Sequence, residues 1–318
     1  MVLKQYTCSL CGSGQMTHSF NASDYMTGDV FSIAVCPRCD IALTLPLLSP
    51  AQLKNYYGES YYGMRKSLSE ILMNRARRKK VSRRCGNGTG KKALDVGCGN
   101  GSFLSFLKNN GWDVCGTELS PESHLISGAA VKEIHLRDVI DCRFPDKTFN
   151  LVTLWHSLEH MADARHCMSE IWRILDDDGL LIVEVPNRES WQSRLTKNNW
   201  FHLDVPRHVS HFNPKSIAVL LNLSGFSVLK INHFSFIYGI FGFTQSILNL
   251  FTKRKNLLFD FLNGKIKTSA SGKHRASMRD AFVTGVLLPP ALLCAIPLFF
   301  LESFLKRGSV ITVYAKKR

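Results

Sequence analysis

ALDVGCGNG, Ala93 to Gly101, decides how the rest of this chain is read. A short apolar strand runs into a cluster of glycines, after which Phe103, Leu104, Phe106 and Leu107 recur at helical spacing. Glycines at such a turn let the backbone come close to a ligand, and the N-terminus of the following helix offers unpaired N–H groups. Asp95 precedes the glycines. A second predicted strand, Trp112 to Thr117, ends on Glu118 about twenty residues further on, where a carboxylate can hold ribose hydroxyls. The third glycine of a dinucleotide fingerprint is missing, because Gly97 and Gly99 are followed by Phe103 and Leu104. That counts against a nicotinamide cofactor.

On these residues the chain resembles the class I S-adenosylmethionine-dependent methyltransferases, with LDVGCGNG standing as their motif I. The resemblance implies an α/β fold, a Rossmann-like sheet of seven strands, and a methyl donor held by Asp95, Gly97, Cys98, Gly99, Glu118 and Asp138. Glu118 takes the place of the ribose-binding acid, and Asp138, in LRDVID, stands near the adenine amino group. FPDKTFNLVTLWHSLEHM is similar to the family's fourth strand and its exit, with Asn150 where an aspartate is usual. EIWRILDDDGLLIVEVPN is similar to the helix, turn and fifth strand that follow. The resemblance runs from Ala93 to His233 and resumes at the C-terminus. An acceptor aligned with the donor's methyl group needs proximity first, and a proton acceptor where the nucleophile carries a hydrogen.

Those proton acceptors are expected beyond the fourth and fifth strands, where two histidine-rich loops lie. In Trp155-His156-Ser157-Leu158-Glu159-His160, His156 and His160 fall on one face if the segment is helical. Two readings stand: a hydrogen-bonded rim of the acceptor pocket, or a cation site on His156, Glu159 and His160, as in relatives that methylate quinone rings. The second loop, Trp200 to Phe212, contains Asp204, Arg207, His208 and His211 ahead of a helix capped by Asn213-Pro214. It resembles a subset of methyltransferases from surface-polysaccharide and lipid contexts. The reading is a lid, with Arg207 offered to a phosphate or carboxylate and His208 or His211 as general base. Glu159, Asn187 and Asp204 join Arg207 as expected acceptor contacts. The alternative is a latch that ties the loop to the core.

Ahead of this domain, Cys8-x-x-Cys11 is followed after 24 residues by Cys36-x-x-Cys39. Paired knuckles of that spacing predict a zinc ribbon over residues 1–48 with a closed, structural Zn²⁺. Residues 49–92 form a connector, first aromatic (Tyr56, Tyr57, Tyr61, Tyr62) and then basic, with eleven Lys/Arg and the single acid Glu70 between Arg65 and Lys92. Either a solvated helix face or a surface for headgroups or nucleic acid fits that run. Ten cysteines in 318 residues are too sparse for a disulfide scaffold, and MVLKQYTCSL lacks the apolar region of a signal peptide, so a reducing, cytoplasmic setting is expected.

The methyltransferase domain is expected over 93–233 and 309–318, its sixth strand at Phe226–Asn232 and its seventh at Ser309–Ala315. Between them, residues 234–308 are an insertion where the family has a hairpin. It holds two uncharged runs, Phe234 to Thr252 and Ala281 to Leu301, around a basic stretch with Lys253, Arg254, Lys255, Lys265, Lys267, Lys273, Arg275 and Arg279. Two full spans would put that basic stretch outside, against the positive-inside tendency. A single span is excluded, because both ends return to one sheet. Pro289, Pro290 and Pro297 break a straight helix. The expectation is a monotopic insert of bent helices dipped into one leaflet, its alternative a soluble cap or dimer interface.

A net charge of +15 favours anionic partners. Together these features point to methyl transfer onto a lipid-linked sugar, quinone, isoprenoid or other amphiphile at the inner face of the cytoplasmic membrane. A soluble methyltransferase of nucleotide-sugars or nucleic acid, and a non-catalytic scaffold, are the alternatives. Nucleic acid is disfavoured, since no Asn/Asp-Pro-Pro-Tyr/Phe follows the fourth strand. The intact glycine turn and its acids weigh against a scaffold.

Overall fold

The computed structural model describes residues 2–3, 6–57, 68–120, 133–263 and 277–318. Tyr61, Tyr62 and Arg65 of the connector, and Lys265, Lys267, Lys273 and Arg275 of the basic stretch, lie outside the described residues.

The chain opens with β1 (Val2–Leu3), β2 (Met16–Ser23), β3 (Val30–Val35) and β4 (Ala42–Leu45), an antiparallel meander carrying both cysteine knuckles at one end. Helices α1 (Pro50–Lys54) and α2 (Leu68–Cys85) follow. The first is closed by a capping box in which Ser49 and Gln52 satisfy each other's backbone N–H. The central domain then alternates β5 (Lys92–Val96), α3 (Ser102–Lys108), β6 (Asp113–Thr117), β7 (Ile134–His135), β8 (Phe149–Trp155), α4 (Ala164–Ile174) and β9 (Leu175–Pro186). It continues with α5 (Trp191–Thr196), β10 (Ser210–His211), α6 (Pro214–Leu223) and β11 (Phe226–Asn232). An insertion follows, α7 (Phe236–Asn249), α8 (Leu257–Leu262) and α9 (Met278–Phe304), before β12 (Val310–Lys317).

The large sheet has the order β11-β12-β9-β8-β5-β6-β7. Its five strands from β9 to β7 pair in parallel, and β12 enters antiparallel between β9 and β11. This is the class I methyltransferase topology implied by the resemblance. The strands buried on both faces read as unbroken apolar runs, such as Leu180 to Val183, because helices cover each side. Asn150 is accommodated at the start of β8, where its side chain accepts the Lys92 N–H at 3.0 Å.

Two features were beyond the sequence reading. The cysteine-bearing sheet takes a fifth strand, β10, from the second histidine loop: Ser210 pairs with Leu43 and His211 with Ala42. One hydrophobic cluster therefore runs unbroken from Met16, Ile41 and Leu43 to Phe212, Ile217 and the sheet residues Leu94, Val183 and Ile311. The second feature is α9, which stays one helix of 27 residues through Pro289, Pro290 and Pro297, although the sequence suggested a break there. All three prolines lie off its packed stripe, in which Ala291, Ala295, Phe299 and Glu302 are buried toward α7. Each proline removes one hydrogen bond on the side away from that packing, so the seam tolerates the loss.

Phe299 is the centre of the seam, 1% exposed, edge-on to Phe236 and set against Gly239, where a Cβ would come within 2.2 Å of its ring. Phe299→Ala is expected to cost about 3–5 kcal/mol in urea unfolding. A loss below about 1 kcal/mol would mean that the cavity collapses and the seam is not a tight contact.

Candidate functional site

The cofactor turn lies between β5 and α3. Gly97, Gly99 and Gly101 all hold left-handed backbone there, which glycine adopts without a Cβ penalty. The N–H groups of Gly97 and Cys98 both bond to the Thr117 carbonyl, tying the turn to the end of β6. A Cβ on Gly97 would fall 2.6 Å from Ser157 Cβ, while one on Gly99 would meet nothing within 4 Å. The turn is thus pressed against the β8 exit on one side and open on the other, as close approach of a nucleoside requires. Glu118 is held beside it, with Oε2 accepting the Gly99 N–H and Oε1 accepting those of Leu119 and Ser120. Asp138 caps the 3₁₀ turn Val139–Cys142 and accepts the Ile140 N–H at 3.1 Å. Asp95 is buried beneath the turn, takes a 2.6 Å bond from Thr153 Oγ1, and is pushed up to about 7, mainly by burial.

The β8 exit brings the first histidine loop beside this turn, since Ser157 Oγ donates to the Val96 carbonyl at 2.8 Å. His156 has φ +56°, uncommon for a residue with a Cβ and a mark of strain held by its surroundings. Its ring nitrogens lie 3.3 Å from Glu159 and 3.5 Å from Glu184, and Tyr238 of α7 covers its ring at 4.2 Å. Burial opposes a charge there, but Tyr238 and the two carboxylates outweigh it and raise the imidazole to about 10. His156 is therefore an imidazolium at neutral pH, a counter-charge and not a base.

Glu184 and Lys80 were missed from sequence. Glu184 is buried in mid-sheet, accepting from Lys80 Nζ and from Thr312 Oγ1. Its signal was available, as a lone acid inside the apolar run of β9. Lys80 was hidden in the basic run of α2, whose register only packing decides.

The second histidine loop is clamped from both sides. Arg207, expected to face an acceptor's phosphate or carboxylate, is instead 0% exposed, bonded to Asp204 and Asp24 at 2.6 Å and to the Tyr56 carbonyl at 3.0 Å. Burial works against the charge on Asp204, and Arg207 overrides it, holding the carboxyl well below its usual range. Thr44 Oγ1 donates to the His208 carbonyl, so the 2.9 Å contact with His211 leaves the imidazole Nε2–H as donor. His211 thus belongs to the seam with β4. From the other side, Ser246 Oγ accepts the Phe201 N–H and Asn249 donates to the Asn199 carbonyl. Asn187 is fully buried and ties β9 to the Gly308 carbonyl. His202 and His208 are buried between the loops, and burial pushes them down to about 3 and about 4.

The structure thus gathers Glu159, His160 and His208, with one ligand-type atom from each within 4.8 Å of the others. Cys8, Cys11, Cys36 and Cys39 form a second group on the same measure, with sulfur contacts of 3.5 Å (Cys8–Cys39) and 3.6 Å (Cys11–Cys36). Tetrahedral Zn²⁺ at about 2.3 Å from each sulfur would set those separations near ~3.8 Å, so the four thiols fit the ion.

A family profile described as a methyltransferase domain matches residues 68–231, just over half of the chain. No curated protein matches it in sequence. Among solved structures, the chain is similar to the (4+2)-cyclase SpnF at 18% identity and a TM-score of 0.52, covering 80% of this chain and 83% of that one. It is similar to Haemonchus contortus phosphoethanolamine N-methyltransferase 2, solved with S-adenosyl-L-methionine, at 14% identity and a TM-score of 0.53, covering 87% and 61%. An S-adenosylmethionine-dependent methyltransferase from Archaeoglobus fulgidus shares 19% identity, with a TM-score of 0.49 and coverage of 78% and 94%. Likeness at these identities speaks for the fold, and a cyclase among the neighbours shows that fold and reaction separate.

Arg207→Ala would leave Asp24 and Asp204 facing each other without a cation, and is expected to cost about 3–5 kcal/mol in chemical denaturation. A cost below about 1 kcal/mol, the size of a surface pair, would contradict the burial. The charge on His156 has its own signature. Its folded pKa is raised, so its stabilisation is complete below about pH 6.5 and is lost as pH rises to about 10. His156→Gln should flatten the alkaline fall in stability, and an unchanged slope would show that His156 is not the group responsible.

Proposed function

The chain belongs to the methyltransferase-domain family, as a class I S-adenosylmethionine-dependent methyltransferase, and on that premise we propose that it methylates an amphiphilic acceptor at the cytoplasmic face of a membrane. Lipid-linked sugars, quinones and isoprenoids are the acceptor classes meant. The observation that carries this reading is the outer face of α9. Phe282, Val286, Leu293, Phe300 and Phe304 repeat at helical spacing down that face, are 51–83% exposed, and are continued by exposed Phe261 and Leu262 of α8. The helix is long and apolar enough to cross a membrane, and 17% of its most apolar window is buried. Yet its other stripe packs on α7, which is itself fixed to the catalytic loops, so the helix is better suited to lie along one leaflet. Arg75, Arg78, Lys79 and Arg83 line an open recess on α2 and supply charge for anionic headgroups.

In this reading Asp95, Gly97, Cys98, Gly99, Glu118 and Asp138 hold the donor, with Glu118 on the ribose and Asp138 beside the adenine. The donor supplies an activated methyl group. Glu159, His160 and His208 face the acceptor, and the bare Nε2 of His208 and the Glu159 carboxylate are the proton acceptors gathered there. Tyr238 and His202 shield the cavity from water. Asp204, Arg207, His211 and Asn187 position the loop and do not touch the acceptor. Cys8, Cys11, Cys36 and Cys39 hold a structural Zn²⁺ whose ribbon braces β10 and hence the lid.

The basic face of α2 would also suit an anionic soluble acceptor, and this is the second reading. Incubation of the full chain with labelled S-adenosylmethionine and fractionated cell extract separates the two. Label in the organic phase, and protein sedimenting with vesicles that contain anionic lipid, are expected. Label confined to the aqueous phase with protein left in solution would overturn the membrane reading. Glu118→Ala should weaken donor binding by about 10- to 100-fold in calorimetric titration, the worth of hydrogen bonds to a charged group. Unaltered affinity would remove Glu118 from the donor site.

A further inference from the structure

The group at the acceptor side has a property that a hydrogen-bonded pocket rim lacks. Glu159 is 1% exposed and neither of its carboxylate oxygens accepts a hydrogen bond among the described residues. Such a carboxylate is costly unless something else binds it. His156 stands 3.3 Å from it and supplies counter-charge, yet the contact lacks the geometry of a hydrogen bond.

Two imidazoles face the same carboxylate, each with its other nitrogen already committed. His160 Nδ1 lies 3.0 Å from the Arg207 carbonyl, which can only accept, and 3.0 Å from the Tyr57 hydroxyl, which can accept as well, so a proton on Nδ1 satisfies both partners. His208 Nδ1 lies 2.9 Å from the His202 carbonyl, with the same consequence. With Nδ1 as the donor, the remaining nitrogen of each ring is Nε2, and in His208 that atom is 3.9 Å from Glu159 Oε1. An N–H donated to a backbone carbonyl is how ligating histidines are held in one tautomer.

We propose that Glu159, His160 and His208 bind a divalent transition-metal ion of the kind that two imidazoles and a carboxylate favour, such as zinc or iron(II). The ligand atoms lie within 4.8 Å of one another. Bonds of about 2.0–2.1 Å to one ion would draw them in to about 3.4 Å. The sequence pointed to His156, Glu159 and His160 as the ligand set. Tertiary structure turns the ring nitrogens of His156 to Glu159 at 3.3 Å and Glu184 at 3.5 Å, and brings His208 from the second loop into the group with Glu159 and His160.

Three protein ligands leave coordination free for an acceptor oxygen; with an ion bound, His208 Nε2 and Glu159 would be ligands and not proton acceptors, and the ion would instead acidify the bound hydroxyl so that water takes its proton. That role rests on the methyl-transfer reading, whereas metal binding does not. Full-length protein, dialysed against cobalt(II) and then against metal-free buffer, reports occupancy by elemental analysis and absorption without any turnover. Two ions per chain are expected, one showing thiolate-to-cobalt charge transfer from the four cysteines and one lacking it. Glu159→Gln and His208→Ala should each lose the second ion while keeping the thiolate bands and a native circular dichroism spectrum. Wild-type protein holding only the thiolate-bound ion, or either variant keeping both ions, overturns the proposal. Methyl transfer measured in parallel fails or succeeds on its own terms.

Discussion

The buried guanidinium of Arg207 is the contact on which the architecture turns. It lies between Asp24, from the loop after β2, and Asp204, from the lid, and also takes the Tyr56 carbonyl of the connector. A cation with no exposed surface is tolerable only when anions and carbonyls replace its water. Those partners come from three distant stretches of chain, so the ion group fixes ribbon, connector and lid together. Directly after it the backbone pairs with β4, and His211 and Thr44 finish the seam. The second histidine loop is therefore a strand of the ribbon's sheet as much as a loop of the catalytic domain.

The insertion braces the same loop from the opposite side. Small and polar residues on α7, Gly242, Ser246 and Asn249 among them, meet the turn around Asn199 to His202, and Tyr238 covers His156. The inner stripe of α9 then packs on α7, with Glu302 buried beside Gln192 and pushed up to about 8 by burial. What remains outward is apolar. A chain of packed contacts thus links that outer face to the histidine loops, from α9 to α7 and from α7 to the loop.

Much of the fold was legible because it is written in local patterns. The glycine turn, the acid at the end of the second strand, the apolar runs of β5, β8 and β9, and the CxxC pairs each report a short-range requirement. The two uncharged runs were visible as an interruption between the sixth and seventh strands. The histidine loops were visible as chemistry but not as geometry. His156, His160, His208 and His211 look alike in sequence, yet one becomes an imidazolium, one joins a strand seam, and two gather beside Glu159. Prolines 289, 290 and 297 were misleading for a related reason. Their cost depends on which side of the helix they face, and the packed stripe that decides it comes from α7.

By itself, the sequence determined a nucleoside-binding turn, a four-thiol site and an uncharged insertion, because each rests on residues near one another in the chain or on a spacing that a single turn imposes. Only the tertiary structure decided what the charged side chains do. Arg207 and Asp204 read as acceptor contacts until Asp24, 183 positions before Arg207, packs against the guanidinium and water is excluded. The protonation of His156 is set, against burial, by Tyr238 of the insertion and by Glu159 and Glu184, and Glu159 and His160 meet a histidine from another loop. Charges act through space and answer to burial, and neither quantity exists until the chain has folded.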